Sequence, residues 1–165
     1  EMTPEQWRHF DGEMFTGFDT DRTMLRISAM NLMLHSITKP RIDYMDSVSK
    51  ANKITGIYDI VLANPPFKGT IDTESINENL KAVCNTKKTE LLFVALFLRM
   101  LRKGGQCACI VPDGVLFGGS RAHKALRKEL IENHHLRAVI PGSAPQSWCS
   151  RKQRTGGLTR SGSTI

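Results

Sequence analysis

The chain has 165 residues, of which 40% are hydrophobic and 24% charged, as is ordinary for one soluble globular domain. The longest apolar stretch, residues 91–98, is far shorter than the ~20 residues of a membrane span, and no signal peptide is visible, so we expect a cytoplasmic protein without membrane contact. The net charge of +7 suggests a polyanionic partner, but four basic residues within 143–165 contribute +4 and leave +3 for the rest.

Helices and strands are predicted to alternate in the first part of the chain. Thr20 or Asp21 can cap the second helix, and Asp19 and Asp46 each follow a strand. The predicted elements are, in order, a helix at 1–10, a strand at 15–18, a helix ending at 35, a strand at 41–44, a polar loop at 48–57 and a strand at 58–63. The branched residues Ile60, Val61 and Leu62 predict that the last strand is buried on both faces.

The same alternation continues to residue 140. Residues 68–87 are polar and without periodicity, which predicts a long loop. After it come a helix at 89–102 stopped by Gly104-Gly105, a strand at 106–111, a helix at 120–134 and a strand at 136–140. This order predicts an α/β fold with a mostly parallel sheet and flanking helices. The basic segment 143–165 is predicted to be disordered, with salt-sensitive phosphate binding as its alternative.

The tetrapeptide Asn64-Pro65-Pro66-Phe67 follows the strand at 58–63. Two prolines end the strand there, at the sheet edge where open α/β sheets bind ligands. The Asn64 amide oxygen and the Pro65 carbonyl can both accept hydrogen bonds from one amino group, and Phe67 can stack on a heterocycle. Such an arrangement exposes the lone pair of an amino nitrogen to an electrophile. The alternative is a proline-rich turn whose Phe67 belongs to the core.

Two aspartates occupy equivalent places after earlier strands. Asp19 stands between a strand and a helix, where a carboxylate can accept both hydroxyls of a ribose, but it can equally cap the helix. Asp46 can form a turn, and Asp113-Gly114 also favours one. The histidines and the four cysteines have no metal-site spacing, so we expect no metal and interpret the cysteines as reduced packing residues.

Several segments resemble one known family. The segment Asp59-Ile-Val-Leu-Ala-Asn-Pro-Pro-Phe67 is similar to the catalytic motif of amino-group methyltransferases. The segments at 15–24, 29–35, 86–93 and 110–117 are similar to the methylation subunits of type I restriction–modification systems, so that the resemblance extends from about residue 15 to 140.

The resemblance implies N6-adenine methylation of DNA with S-adenosylmethionine as cofactor. It implies that Asn64, Pro65, Pro66 and Phe67 act on a flipped adenine, and that Asp19, Asp46 and Asn64 bind the cofactor, with Asp46 near its adenine. The partners it implies are DNA, a specificity subunit, a second methylation subunit and often a restriction subunit.

The chain also departs from the family pattern. The glycine-rich cofactor loop and the helical domain that precede the segment at 15–19 in the family are not found, and after residue 140 the pattern is lost. We therefore expect residues 1–142 to be a partial catalytic domain and 143–165 a disordered or frameshifted tail. We also expect the isolated chain to be inactive and to bind S-adenosylmethionine poorly. The alternatives are a non-catalytic remnant, or a methyltransferase that acts on RNA or on a protein glutamine amide.

Overall fold

The computed structural model describes residues 2–67 and 69–140, together with the backbone of residues 146–152. The chain divides into two compact units, Glu1–Asn52 and Lys53–Ile165. No helix among the described residues has both the length and the apolar character needed to cross a membrane.

The first unit is a parallel strand pair with two helices. Its elements are α1 (Pro4–Gly12), β1 (Thr16–Asp19), α2 (Arg22–Leu34) and β2 (Arg41–Tyr44). The helix α1 begins later than predicted, because Thr3 and Gln6 form a reciprocal capping box and Pro4 occupies the first helical turn. Strand β1 pairs in parallel with β2, so that Asp19 lies opposite Tyr44. The predicted strands at 15–18 and 41–44 and the helix between them are confirmed.

The described residues of the second unit form a four-stranded sheet and four helices. Its elements are β3 (Tyr58–Ala63), α3 (Glu78–Val83), α4 (Thr89–Met100), β4 (Leu101–Val111), α5 (Asp113–Phe117), α6 (Arg121–Glu132), β5 (His134–Ile140) and β6 (Gln146–Lys152). The strand order is β3-β4-β6-β5. Strand β3 pairs in parallel with β4, whereas β6 is antiparallel to both β4 and β5.

Strand β6 lies within the segment for which the sequence predicted disorder, and that expectation was wrong for Gln146–Lys152. Ladder hydrogen bonds to β4 on one side and β5 on the other satisfy its backbone. The second sheet is therefore mixed. The remaining residues of the predicted tail lie outside the described residues.

One face of the second sheet carries the core. Alternate residues of β4, among them Cys107, Cys109 and Val111, are buried together with the apolar residues of α4 and with Leu126 and Leu130 of α6. The prediction that β3 is buried on both faces was wrong, because Ile60 is 62% exposed and Leu62 is 78% exposed. These two side chains alternate with Val61 and Ala63, which pair with Cys107 and Cys109 on the core side.

Two further boundaries differ from the prediction. The helix α4 ends at Met100, and the glycine pair lies within β4, where the pairing register with β3 shifts after Tyr58. Gly104 has a φ of +84°, and a Cβ at Gly105 would lie 2.9 Å from the Tyr58 carbonyl oxygen. The glycines therefore permit a bulge and a close approach of two backbones rather than ending the helix. The polar segment 68–87 contains α3, which Asn77 caps.

Candidate active site

The tetrapeptide leaves the sheet at the carboxyl end of β3, as the sequence predicted. Asn64 and Pro66 are exposed, Phe67 is half-buried and Pro65 is buried. The Asn64 side chain makes no hydrogen bond to another residue in the described part of the chain, and it is exposed to solvent. The buried Pro65 anchors the turn, and its ring fixes the backbone on which the Asn64 amide and the Pro65 carbonyl are carried.

The far side of this loop is attached to the beginning of α4. The Thr89 N–H donates to the Gly69 carbonyl at 3.3 Å, and the Ile71 N–H donates to the Lys87 carbonyl at 3.1 Å. Thr70 forms an isolated antiparallel bridge with Lys88. Gly69 is required there, because its φ is +141° and a Cβ would lie 3.0 Å from the Thr89 hydroxyl. The tetrapeptide is thus held by β3 on one side and by α4 on the other.

The end of the neighbouring strand β4 lies at the same edge of the sheet. Ala63 pairs in parallel with Cys109, and β4 ends two residues later at Val111. Asp113 and Gly114, which the sequence favoured as a turn, instead begin the short helix α5 after Pro112. The last residue of α5, Phe117, is 76% exposed. Sequence reasoning did not single out Phe117, although an aromatic residue directly before Gly118-Gly119 was a visible signal.

In the first unit, Asp19 lies at the carboxyl end of β1 and is half-buried. Its Oδ1 accepts a 2.8 Å hydrogen bond from the Asp21 N–H, and its backbone carbonyl accepts one of 3.1 Å from the Met45 N–H. The residue that caps α2 is Asp21, whose Oδ1 accepts from the Thr23 and Met24 N–H groups. Asp19 is therefore not the helix cap, and the alternative interpretation of this residue is excluded.

Asp46 lies two residues beyond the end of β2. Its Oδ1 accepts a 3.2 Å hydrogen bond from the Val48 N–H, and its carbonyl accepts from the Ser49 N–H and hydroxyl. The turn interpretation of Asp46 is thus confirmed, and the residue is exposed. Since β1 and β2 are parallel and the Met45 N–H donates to the Asp19 carbonyl, both aspartates lie at the carboxyl ends of this strand pair. Tyr44, which is 67% exposed, lies between them in sequence.

Neither cysteine nor histidine forms a second site in the described residues. No group of three or more His, Cys, Asp or Glu side chains there can hold a metal ion. Cys84, Cys107 and Cys109 are buried. Burial raises the pKa of the Cys84 thiol to about 12, which keeps it protonated and unreactive. Three of the four cysteines are therefore packing residues, as expected, and the side chain of the fourth lies outside the described residues.

The arrangement has close relatives among known proteins. The family model for N-6 DNA Methylase matches residues 4–146. The chain is 32% identical over 112 residues to the type I restriction enzyme EcoEI methylase subunit of Escherichia coli, covering 67% of this chain and 22% of that protein. It is 29% identical over 132 residues to the StySPI methylase subunit of Salmonella potsdam, covering 76% of this chain and 24% of that protein. The chain thus spans about a quarter of the length of these relatives.

Solved structures agree with the fold. The type I restriction enzyme EcoKI M protein superposes with a TM-score of 0.76 at 22% identity, over 93% of this chain and 34% of that chain. A chain from a study of complex assembly and conformational transition in a type I R-M system superposes with a TM-score of 0.74 at 27% identity, over 94% of this chain and 34% of that chain. The predicted α/β fold class is confirmed.

Proposed function

The chain belongs to the N-6 DNA methylase family, as its sequence motifs indicated, and we propose that the protein carrying it transfers a methyl group to N6 of adenine in DNA. The observation that carries this proposal is the Asn64 amide, which is exposed at the carboxyl end of β3 on a loop held from both sides. The Asn64 oxygen and the Pro65 carbonyl form a fixed pair of acceptors, which suits an exocyclic amino group because that group can donate two hydrogen bonds.

In the proposed mechanism, the adenine first leaves the duplex, because its amino nitrogen is inaccessible while it is stacked and paired. The Asn64 oxygen and the Pro65 carbonyl each accept a hydrogen bond from one N–H of the amino group. This geometry reduces the conjugation of the nitrogen lone pair with the purine ring and exposes it to the methyl donor. Methylation leaves the nitrogen with one proton too many, and a hydrogen-bonded proton can pass to water. No strong base is needed, so that orientation and fixed dipoles supply most of the acceleration.

Phe67 has a second role in this proposal. Its ring is half-buried, so that one part is packed while another remains available to a base. Stacking on an aromatic side chain contributes ~1–3 kcal/mol per base, which offsets part of the cost of unstacking. Phe67 therefore retains the flipped adenine, while Asn64 and Pro65 orient its amino group.

The cofactor we propose is S-adenosylmethionine, which when bound supplies an electrophilic methyl group on a positively charged sulfur. The first unit fits part of this molecule. One carboxylate oxygen of Asp19 accepts from the Asp21 N–H, and the second can accept a hydrogen bond from a ribose hydroxyl. One carboxylate oxygen of Asp46 accepts from the Val48 N–H, and the second is proposed to lie near the adenine of the cofactor. Asn64 is proposed to contact the cofactor as well as the amino group. A glycine-rich loop for the rest of the cofactor does not occur in this sequence.

We further propose that the protein works in a type I restriction–modification complex. Two similar proteins are methylase subunits of type I enzymes, and one similar chain comes from a study of how such a system assembles. The proposed partners are DNA, a specificity subunit, a second methylation subunit and a restriction subunit. Copurification of the full-length protein with its specificity subunit tests this part of the proposal.

The activity is tested by methyl transfer from radiolabelled S-adenosylmethionine to DNA, RNA and protein. In the full-length protein we expect transfer to adenine in DNA, and we expect Asn64→Ala to lower kcat at least ~100-fold, as loss of a transition-state hydrogen bond does elsewhere. Asn133→Ala is the matched control, because Asn133 is an exposed amide at the end of α6 whose Nδ2 donates to Glu129, four residues earlier, at 2.7 Å.

Three other outcomes would change the proposed acceptor, the proposed activity or the proposed role of Asn64. Transfer to RNA or to a glutamine amide with the same dependence on Asn64 would assign a different acceptor to the same site. No transfer by a folded full-length protein would favour the non-catalytic alternative. Equal activities of the Asn64→Ala and Asn133→Ala variants would remove Asn64 from the mechanism.

A further inference from the structure

Phe117 is an exposed aromatic residue on an ordered support. It is 76% exposed, whereas Val115, two residues earlier in the same short helix, is 1% exposed. Among the described residues, its ring lies in none of the aromatic pairs, which involve Trp7, Phe10, Phe15, Phe93 and Phe97. Leaving a large apolar ring in water forgoes the free energy of burying it. The ring is therefore available for a contact outside the second unit.

The backbone on either side of Phe117 is fixed by side chains from α6. Arg127 donates from Nη1 to the Val115 carbonyl at 3.2 Å and to the Gly118 carbonyl at 2.9 Å. The Gly118 N–H donates to the Gly114 carbonyl at 2.8 Å. Phe117 thus projects from a backbone that is already ordered, which lowers the entropic cost of a contact made by its ring.

The buried residue His123 completes this support. It is 3% exposed, and its Nδ1 is hydrogen-bonded to the Ser120 hydroxyl. A Cβ at Gly118 would overlap the His123 ring, so that only glycine fits directly after Phe117. The turn between α5 and α6 therefore has little freedom to let Phe117 fold inward.

The position of Phe117 connects it with the tetrapeptide. Strands β3 and β4 are hydrogen-bonded parallel neighbours, with Ala63 opposite Cys109. Both strands end at the same edge of the sheet, where β3 is followed by Asn64 and β4 is followed by Pro112 and α5. Adjacent strands are only ~4.8 Å apart, and a five-residue helix is ~7.5 Å long. Phe117 therefore belongs to a segment that leaves the sheet at the same strand ends as the tetrapeptide.

We propose that Phe117 is a second base-stacking residue, which contacts the face of a DNA base when the target adenine is flipped. This inference rests on the proposed function. A flipped adenine exposes two faces, and Phe67 can cover only one of them, while the bases next to the vacated position also lose a stacking partner. An exposed ring on a fixed backbone at this edge can cover one of these faces.

The test uses the full-length protein with its specificity subunit and compares Phe117→Ala, Phe117→Leu and Phe117→Trp. We expect Ala and Leu to raise the KM for DNA by about tenfold or more, and Trp to stay within about threefold of wild type, because Trp stacks and Leu does not. Affinity for S-adenosylmethionine should be unchanged. Ile131→Ala is the matched control, since Ile131 is 70% exposed in the last turn of α6, next to the start of β5 and so at the opposite edge of the sheet.

A second measurement identifies the base. The fluorescent adenine analogue 2-aminopurine replaces either the target adenine or its neighbour, and stacking quenches its emission. Loss of quenching at either position in Phe117→Ala supports the proposal and tells the two bases apart, whereas unchanged emission at both would overturn it. Recovery by Leu would also overturn it, because a residue that only packs against apolar protein accepts Leu.

Failure of the proposed function gives a different result. If the wild-type protein transfers no methyl group to DNA, the proposed function fails, and Phe117 has no base to contact. If the wild type is active and Phe117→Ala has the same KM as wild type and as Ile131→Ala, the proposed function stands and only the role of Phe117 is wrong.

Discussion

The backbone N–H of Asp21 donates a 2.8 Å hydrogen bond to Oδ1 of Asp19, while the carboxylate of Asp21 caps α2. Two aspartates two residues apart therefore have different tasks. Asp21 satisfies the free N–H groups of a helix, whereas Asp19 is held at the end of a strand with a second oxygen to offer. This division makes the cofactor proposal testable one residue at a time.

Replacing the two aspartates one at a time should separate stability from cofactor binding. Asp21→Ala is expected to lower the free energy of unfolding by ~1 kcal/mol, the usual cost of losing a helix cap, with little change in affinity for S-adenosylmethionine. Asp19→Ala is expected to weaken that affinity about 10- to 100-fold in the full-length protein, as loss of a hydrogen bond to a charged group does. Urea unfolding and calorimetric titration measure the two effects. A larger loss of affinity in Asp21→Ala than in Asp19→Ala would show that the proposal names the wrong aspartate as the cofactor ligand.

The glycines of the second unit should differ in their tolerance of a methyl group. At Gly105 a Cβ would lie 2.9 Å from the Tyr58 carbonyl oxygen and 3.0 Å from that of Asp59, so Gly105→Ala must force the β3 and β4 backbones apart. We expect a destabilisation of ~1–3 kcal/mol in urea unfolding. A methyl group added at Gly114, in α5, would meet no neighbouring atom within 4 Å, so Gly114→Ala should be neutral or stabilising by a few tenths of a kcal/mol. Equal effects at both positions would contradict the close approach at Gly105.

The Cys84 thiol should resist alkylation in the native chain. It is 1% exposed, its Sγ lies 3.7 Å from the Leu91 carbonyl oxygen, and burial raises its pKa to about 12. At pH 8 iodoacetamide should leave Cys84 unmodified until the chain is unfolded in urea, because the thiolate is the reactive form. Peptide mapping by mass spectrometry measures the modification at each cysteine. Rapid native labelling of Cys84 would contradict its burial beside Leu91 of α4.

The stability of the second unit should depend on His123 in mildly acidic solution. Burial, together with Lys88 and Arg127, lowers the pKa of this imidazole below the ordinary value of 6.5, while Glu90 acts in the opposite direction. As the pH falls through 6.5, the unfolded chain binds the proton first, and the free energy of unfolding decreases until folded His123 is protonated too. The contribution of neutral His123 is therefore fully present above pH 6.5.

The control for this pH effect is His123→Gln, which retains a polar side chain that does not titrate. Urea unfolding between pH 7.5 and 5 should show a smaller decrease in stability for the variant than for the wild type, whatever its stability at pH 7.5. Parallel pH profiles would contradict the prediction. Since the other histidines are present in both proteins, the difference between the two profiles isolates His123.

The sequence located the tetrapeptide and its strand because both signals are local. Branched apolar residues favour a strand, and two prolines end it, so that the bounds of Tyr58–Ala63 follow from short-range sterics. The helix between Asp21 and His35 was equally predictable, because a capping side chain bonds backbone groups two and three residues away. Family motifs added the identity of the chemistry, which the family match supports.

The failures arise where distant parts of the chain meet. Gly104 and Gly105 have the composition of a helix stop, but the backbone of Tyr58 and Asp59 approaches them from more than forty residues away and places them in a strand bulge. Strand β6 forms in a polar, basic segment because β4 and β5 offer it backbone hydrogen bonds on both sides. The strand propensity of residues 146–152 alone does not show that these two partners will be present.

By itself, the sequence determined the α/β fold class and the family, and it supplied the proposal that Asn64 and Pro65 hold an amino group. Only the tertiary structure decided which aspartate is a helix cap, which face of β3 is covered and where Phe117 is displayed. The physical reason is one of range. Sterics and capping act over a few residues, whereas burial and exposure depend on Arg127, His123 and other groups that folding brings together from separate elements.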